Sequence, residues 1–169
     1  RVVTANPAYR IDRAEADVLA ARFVAGLHSQ GVKIGEQVAF RAPNSPALLV
    51  AIFGCLRAGF APIVLSAKLT THERESMLAD VTPSAVIDDE TCRNLLALEV
   101  DPGDVPALDD RFQCRPLHFT SGTTGRPKAV WSGWLNEDAS EGLRRDELDC
   151  WGFTSADEHW VCSPLSHSA

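Results

Sequence analysis

Phe119-Thr120-Ser121-Gly122-Thr123-Thr124-Gly125-Arg126-Pro127-Lys128-Ala129-Val130 carries the most unusual chemistry in this chain. Residues 120–125 are all small, hydroxylated or glycine, and a lysine follows at a fixed distance. Gly122 and Gly125 permit backbone angles and close approaches that a Cβ would forbid. Successive N–H groups in such a loop can converge on one anion. The hydroxyls of Thr120, Ser121, Thr123 and Thr124 add rotatable donors, and Lys128 adds a full positive charge behind the stiff Pro127. These are the parts of a phosphate cradle. The spacing is not that of the common nucleotide loop, which sets four residues between its glycines and continues Gly-Lys-Ser/Thr. Here Pro127 precedes the lysine and Ala129 follows it, which disfavours a Walker-type NTPase.

Outward from this loop the pattern is that of an α/β protein. Leu117 to Phe119 reads as a short strand feeding the loop. Before it, Asp101 to Asp110 is rich in Asp, Pro and Gly and reads as a surface loop whose acids are solvated. Further back, helices alternate with apolar strands. Asp12 caps a helix reaching about Gln30, with Glu15 completing a capping-box pattern, Leu19, Phe23 and Leu27 on one stripe, and Gly31 as its stop. Gln37 to Ala42 reads as a strand. Asn44 or Ser45 caps a helix that opens with Pro46 and ends at Gly59. Phe60 to Leu65 is a buried strand. Thr70 and Glu73 open a helix to about Asp80, Ala85 to Ile87 is a short strand, and a short helix follows near Thr91 to Ala97. The alternation predicts an α/β domain with a mainly parallel sheet flanked by helices.

The chain has 169 residues, 45% of them hydrophobic and 23% charged, enough for one domain with a real core. A net charge of -7 argues against a general nucleic-acid binder. The 5 cysteines, Cys55, Cys92, Cys114, Cys150 and Cys162, show no C-x-x-C spacing and read as reduced thiols of a cytoplasmic protein. A zinc site from Cys150, His159 and Cys162 lacks metal-ligand spacing. The apolar run from Pro46 to Leu65 is interrupted by Arg57, Gly59 and Pro62, so it reads as helix, turn and strand and not as a membrane span. No signal peptide is visible, and the chain begins with Arg1 and not Met. His28, His72, His118 and His159 have no recognisable catalytic partners and read as structural. Trp131, Trp134, Trp151 and Trp160 read as core and edge packing. Arg144 and Arg145, among acids, read as a solvated face.

The order of residues Thr120 to Lys128 matches T-S-G-[ST]-T-G-x-P-K-G, the phosphate-binding loop of the adenylate-forming (AMP-binding) superfamily. That superfamily comprises acyl- and aryl-CoA synthetases, luciferases and the adenylation domains of peptide synthetases. One position departs, Ala129 standing where the family usually has glycine; Ala fits wherever φ is negative. The resemblance extends to Gly31-Val32-Lys33-Ile34-Gly35-Glu36-Gln37-Val38-Ala39, to Ala42-Pro43-Asn44-Ser45-Pro46, and to Leu56-Arg57-Ala58-Gly59-Phe60-Ala61-Pro62. It also reaches Asp157 and Ser163-Pro164-Leu165-Ser166-His167-Ser168-Ala169, which resembles the block that starts the acyl pocket.

The resemblance implies that residues 1–169 are the N-terminal part of an adenylation domain. The family's C-terminal remainder, its small lid domain and its magnesium-binding glutamate would lie downstream, and the piece alone would have little activity. It implies ATP-dependent conversion of a carboxylic acid, a fatty or other acyl acid first, to an acyl-AMP and then to a CoA thioester, with Mg²⁺ as cofactor. Thr120, Ser121, Gly122, Thr123, Thr124, Gly125 and Lys128 would hold the β- and γ-phosphates. His167 would lie beside the substrate carboxylate or acyl tunnel, in a segment where amino-acid-activating relatives usually carry Phe-Asp to pair an amine. Two other readings are an amino- or aryl-acid adenylation domain serving a carrier protein, and a non-catalytic remnant that binds a nucleotide or partner.

Overall fold

The computed structural model describes residues 2–3, 10–101, 107–120, 127–152, 154, 156–157 and 163–167. Strands β1 (Val2–Val3) and β2 (Arg10–Ile11) pair antiparallel ahead of the main body. Helix α1 (Arg13–Ser29) starts where Asp12 Oδ1 accepts the Glu15 N–H at 2.8 Å. It stops before Gly31, whose φ of 86° is left-handed. Strand β3 (Gln37–Arg41) follows, then α2 (Pro46–Ala58), capped by the Ser45 hydroxyl at 3.1 Å from Leu48 N and closed by Gly59. Then come β4 (Ala61–Val64), α3 (Thr71–Val81) behind a complete Thr70/Glu73 capping box, β5 (Ala85–Asp88) and α4 (Asp89–Leu96). Helix α4 begins two residues before the Thr91 expected of it. Asp88 ends β5 and caps the helix at once, accepting the Thr91 N–H at 2.8 Å.

The three strands form a parallel sheet in the order β4-β3-β5, with Phe40 level with both Val64 and Ile87. Parallel neighbours need crossovers, and α2 and α3 supply them. The chain moves one way from β3 to β4 and back the other way from β4 to β5. Crossovers of one hand then put α2 and α3 on opposite faces. The alternation of side chains shows the result. Val38 and Phe40 join the core beneath α1, α2 and α4, whereas Ala39 and Ile63 join a second core with Leu65, Leu117 and Met77 of α3.

The first core is the larger. Phe23, Leu27, Phe40, Leu48 and Phe60 are fully buried in it, and the rings of Phe23 and Phe40 stack at 5.9 Å. Burying one such side chain contributes about 2–3 kcal/mol. Helices α1 and α2 approach so closely that a Cβ on Gly54 would stand 3.1 Å from the Ala20 carbonyl oxygen. The acids at the end of the 101–110 loop are more than solvated. Arg57, at the last turn of α2, donates to Asp17 Oδ1 and to the Asp109 carbonyl, each at 2.5 Å, and lies 3.7 Å from Asp110. No helix among the described residues is long and apolar enough to cross a membrane.

Candidate functional site

After residues 107–112 the chain returns to the sheet. The Gln113 N–H donates to the Leu56 carbonyl at 2.8 Å, at the end of α2. Leu117 then bridges Ile63 of β4 in parallel, its N–H donating to Pro62 O at 3.0 Å. Directly beyond lies β6 (His118–Thr120), which pairs antiparallel with β7 (Lys128–Val130). The expected strand is thus present one residue later than Leu117 to Phe119. The hairpin's root is gripped from below: Arg115 N–H donates to Gly133 O, Leu135 N–H to Gln113 O, and the Trp131 indole to Arg115 O at 2.8 Å. Trp134 stands edge-on to Trp131, ring centres 5.1 Å apart, and is itself exposed, as is Trp151.

This root sets Thr120 opposite Lys128, with the Thr120 hydroxyl 3.4 Å from the Lys128 carbonyl. Both side chains are exposed. Ser121, Gly122, Thr123, Thr124 and Gly125, the rest of the expected cradle, lie outside the described residues. Ala129 faces Phe119 across the hairpin in ordinary strand backbone; among the described non-glycine residues only Thr82 has positive φ. The alanine in place of the family's glycine therefore strains nothing here. His118 is half-buried, and burial, helped by Arg115, lowers its pKa below the usual imidazole value.

The second candidate segment, residues 163–167, comes to the loop between β3 and α2. Asn44 Nδ2 donates to Ser163 O at 3.2 Å, and Asn44 Oδ1 accepts the Leu165 N–H at 3.0 Å. Leu165 packs against the main core. A turn from His167 N–H to Pro164 O at 3.0 Å then presents the exposed His167. His167 makes no hydrogen bond to Thr120 or Lys128. It shares with them one end of the fold: Asn44 follows the carboxyl end of β3, and the hairpin extends past the carboxyl end of β4. Two strand spacings, about 10 Å, separate β3 from the strand line of Leu117. Ligands of open α/β sheets bind at this edge.

The other candidates are structural or lie outside the described residues. His28 packs on Phe60 at 5.2 Å. His159, Trp160 and Cys162 are outside the described residues, which hold no cluster of three or more His, Cys, Asp or Glu able to bind a metal. Cys55, Cys92, Cys114 and Cys150 are free thiols. A cleft of about 290 Å³ between α1, α2 and residues 110–112 is lined by Arg13, Asp17, Phe53 and Arg57. It sits at the salt-bridged Arg57 network, away from the hairpin. The part played by Asn44 was missed as anything but a helix cap. Its signal was an amide held between Pro43 and Pro46 at a strand's carboxyl end.

The described residues thus form a parallel α/β sheet with the β6–β7 hairpin beyond the carboxyl end of β4. The chain belongs to the AMP-binding enzyme family, whose model matches residues 1–169. It is 34% identical over 166 residues to a feruloyl-CoA synthase of Amycolatopsis sp, covering 88% of this chain and 33% of that protein. It is 29% identical over 150 residues to the 2-succinylbenzoate–CoA ligase of Bacillus velezensis, covering 80% and 30%. The chain thus spans about a third of the length of the curated relatives it matches. Its fold is that of adenylate-forming enzymes. The o-succinylbenzoate CoA synthetase (MenE) of Bacillus subtilis, in complex with its acyl-adenylate OSB-AMP, superposes with a TM-score of 0.73 at 22% identity, covering 93% of this chain and 44% of that one. MatB of Rhodopseudomonas palustris in its apo form gives 0.74 at 22% identity, covering 94% and 36%.

Proposed function

We propose that this chain is the N-terminal part of the adenylation domain of an AMP-forming acid–CoA ligase. In that reading it contributes the phosphate loop and one wall of the acid pocket to a longer protein. The observation that carries the reading is the run Thr120 to Lys128, spanning a hairpin at the carboxyl edge of a parallel sheet, in a chain of the AMP-binding family.

The chemistry follows from what a carboxylate lacks. Its leaving group would be oxide, so the acid oxygen attacks the α-phosphorus of ATP, pyrophosphate departs, and a mixed anhydride is left. The thiol of CoA then attacks the acyl carbon and AMP leaves. Charge accumulates on the departing pyrophosphate. The Lys128 ammonium and the loop's N–H and hydroxyl donors, from Thr120, Ser121, Gly122, Thr123, Thr124 and Gly125, would hold the β- and γ-phosphates and stabilise that charge. Magnesium would neutralise phosphate charge when bound, but the described residues supply no ligand cluster for it. His167 would stand at the acid carboxylate. A histidine there, not an aspartate, suits an acid without an amine.

Fatty and other acyl acids fit this pocket chemistry. An aromatic acid is the second reading, favoured by the similarity to feruloyl-CoA synthase and 2-succinylbenzoate–CoA ligase. The test is carboxylate-dependent ATP–pyrophosphate exchange by the full-length protein over fatty, aryl and amino acids. Exchange with fatty or aryl acids supports the proposal and names the class. Exchange with amino acids alone, or with none, defeats it.

A further inference from the structure

The Asn44 contact joins residues 119 and 121 positions apart. Its amide does what a neighbouring strand would do. It donates to the carbonyl of Ser163 and accepts from the N–H of Leu165, spanning Pro164, which has no N–H of its own. Among side chains of this length, only Asn offers a donor and an acceptor on one fork. Asp would keep the acceptor but turn a second acceptor on Ser163 O. The fork is itself held stiffly. Pro43 and Pro46 flank it, and Ser45 is locked as the cap of α2.

The clamp's location matters as much as its geometry. Asn44 is exposed, so its hydrogen bonds do little for the core. Leu165 already anchors the segment's middle in that core. What the amide adds is orientation: it fixes the backbone just before the turn that presents His167.

We infer that Asn44 is a positioning residue, acting through residues 163–165 to aim His167 at the acid-binding side of the site. This rests on the reading of His167 given above. Losing both hydrogen bonds should lower kcat/KM for the acid about tenfold or more, with KM for ATP unchanged.

The test compares wild type, Asn44→Ala, Asn44→Asp, His167→Ala and the Asn44→Ala/His167→Ala double variant in the full-length protein. Three readouts are used: ATP–pyrophosphate exchange, thermal midpoint, and hydrogen exchange of the peptide containing Leu165. The expected result is faster exchange at the Leu165 amide in Asn44→Ala at an unchanged midpoint, with a smaller change in Asn44→Asp, which keeps the acceptor. The acid kinetics should fall in Asn44→Ala, with no added loss when His167 is already alanine. Unchanged protection at Leu165 overturns the clamp. Additive losses, or an equal loss for ATP and acid, overturn its action through His167. If wild type shows no acid-dependent exchange, the functional reading fails on its own. The Leu165 protection then still decides whether the clamp exists.

Discussion

The α1–α2–sheet body and the β6–β7 hairpin are built on opposite terms. In the body, strands β3 and β4 are buried on both faces, and Phe23, Phe40 and Phe60 have no solvent exposure at all. In the hairpin, Lys128, Ala129 and Val130 are all exposed, and the structure is carried from its root, by Leu117 on β4 and Trp131 on Arg115. The difference teaches where each kind of residue acts. Body residues set most of the free energy of folding, whereas the exposed side chains of Thr120 and Lys128 contribute little to it.

Substitutions in the two regions should therefore fail in different assays. Phe40→Ala should lower stability by about 3–5 kcal/mol, through lost transfer energy and the cavity left behind. Denaturant unfolding of the full-length protein measures it; a loss under 1 kcal/mol would mean the body is not the stabilising half. Lys128→Ala should do the reverse. Adenylation should slow roughly 10²–10³-fold, by analogy with loss of one oxyanion-hole donor, with the unfolding midpoint unmoved. Unchanged adenylation in that variant removes Lys128 from the site.

A smaller effect sharpens the boundary between the regions. Gly59 has φ of 80°, and a Cβ there would meet Ile34 Cγ2 at 3.1 Å. Gly59→Ala should cost about 1–3 kcal/mol in strain, read by the same unfolding curve, with acid and ATP kinetics intact.

The least invasive probe is the thiols. Burial pushes Cys92 and Cys114 up to about 12, and burial beside those two thiols raises Cys55 well above the ordinary thiol value. Brief alkylation near pH 8, read by mass spectrometry, should label exposed Cys150 and spare these three. The sign of the pH effect is set by the same shifts. The folded state favours the protonated thiols, so their contribution is whole below the unfolded value near 9 and is lost as pH rises toward 12. The thermal midpoint should fall across that alkaline range.

What could be read from the sequence divides along chemical range. Caps and stops act within three or four residues, so Asp12, Ser45, Thr70 and Gly59 announced their helices. The early start of α4 escaped because one residue, Asp88, serves both a strand end and a cap, and Thr91 merely receives it. Arg57 showed itself as a charge that spoils a membrane span and as one position of a family-like block, with no sign of its partners. Its partners Asp17 and Asp109 stand 40 and 52 residues away, beyond any local pattern. Lys128 was plain because the whole loop is contiguous, whereas the Asn44 contact depends on the chain returning to α2 at Ser163.

Helix α2 is also a gauge. Its 13 residues make a rod of about 20 Å. Asn44 grips the His167 segment just ahead of one end. At the other end the Leu56 carbonyl takes the Gln113 N–H, four residues before the chain joins the sheet and leads into the β6–β7 hairpin. A rod of this kind comes only in whole residues. One residue added inside it would lengthen it by about 1.5 Å and turn one end against the other by about 100°. A side-chain change in α2 need only respect the packing, whereas a change in the number of residues between Asn44 and Leu56 would displace both attachments at once.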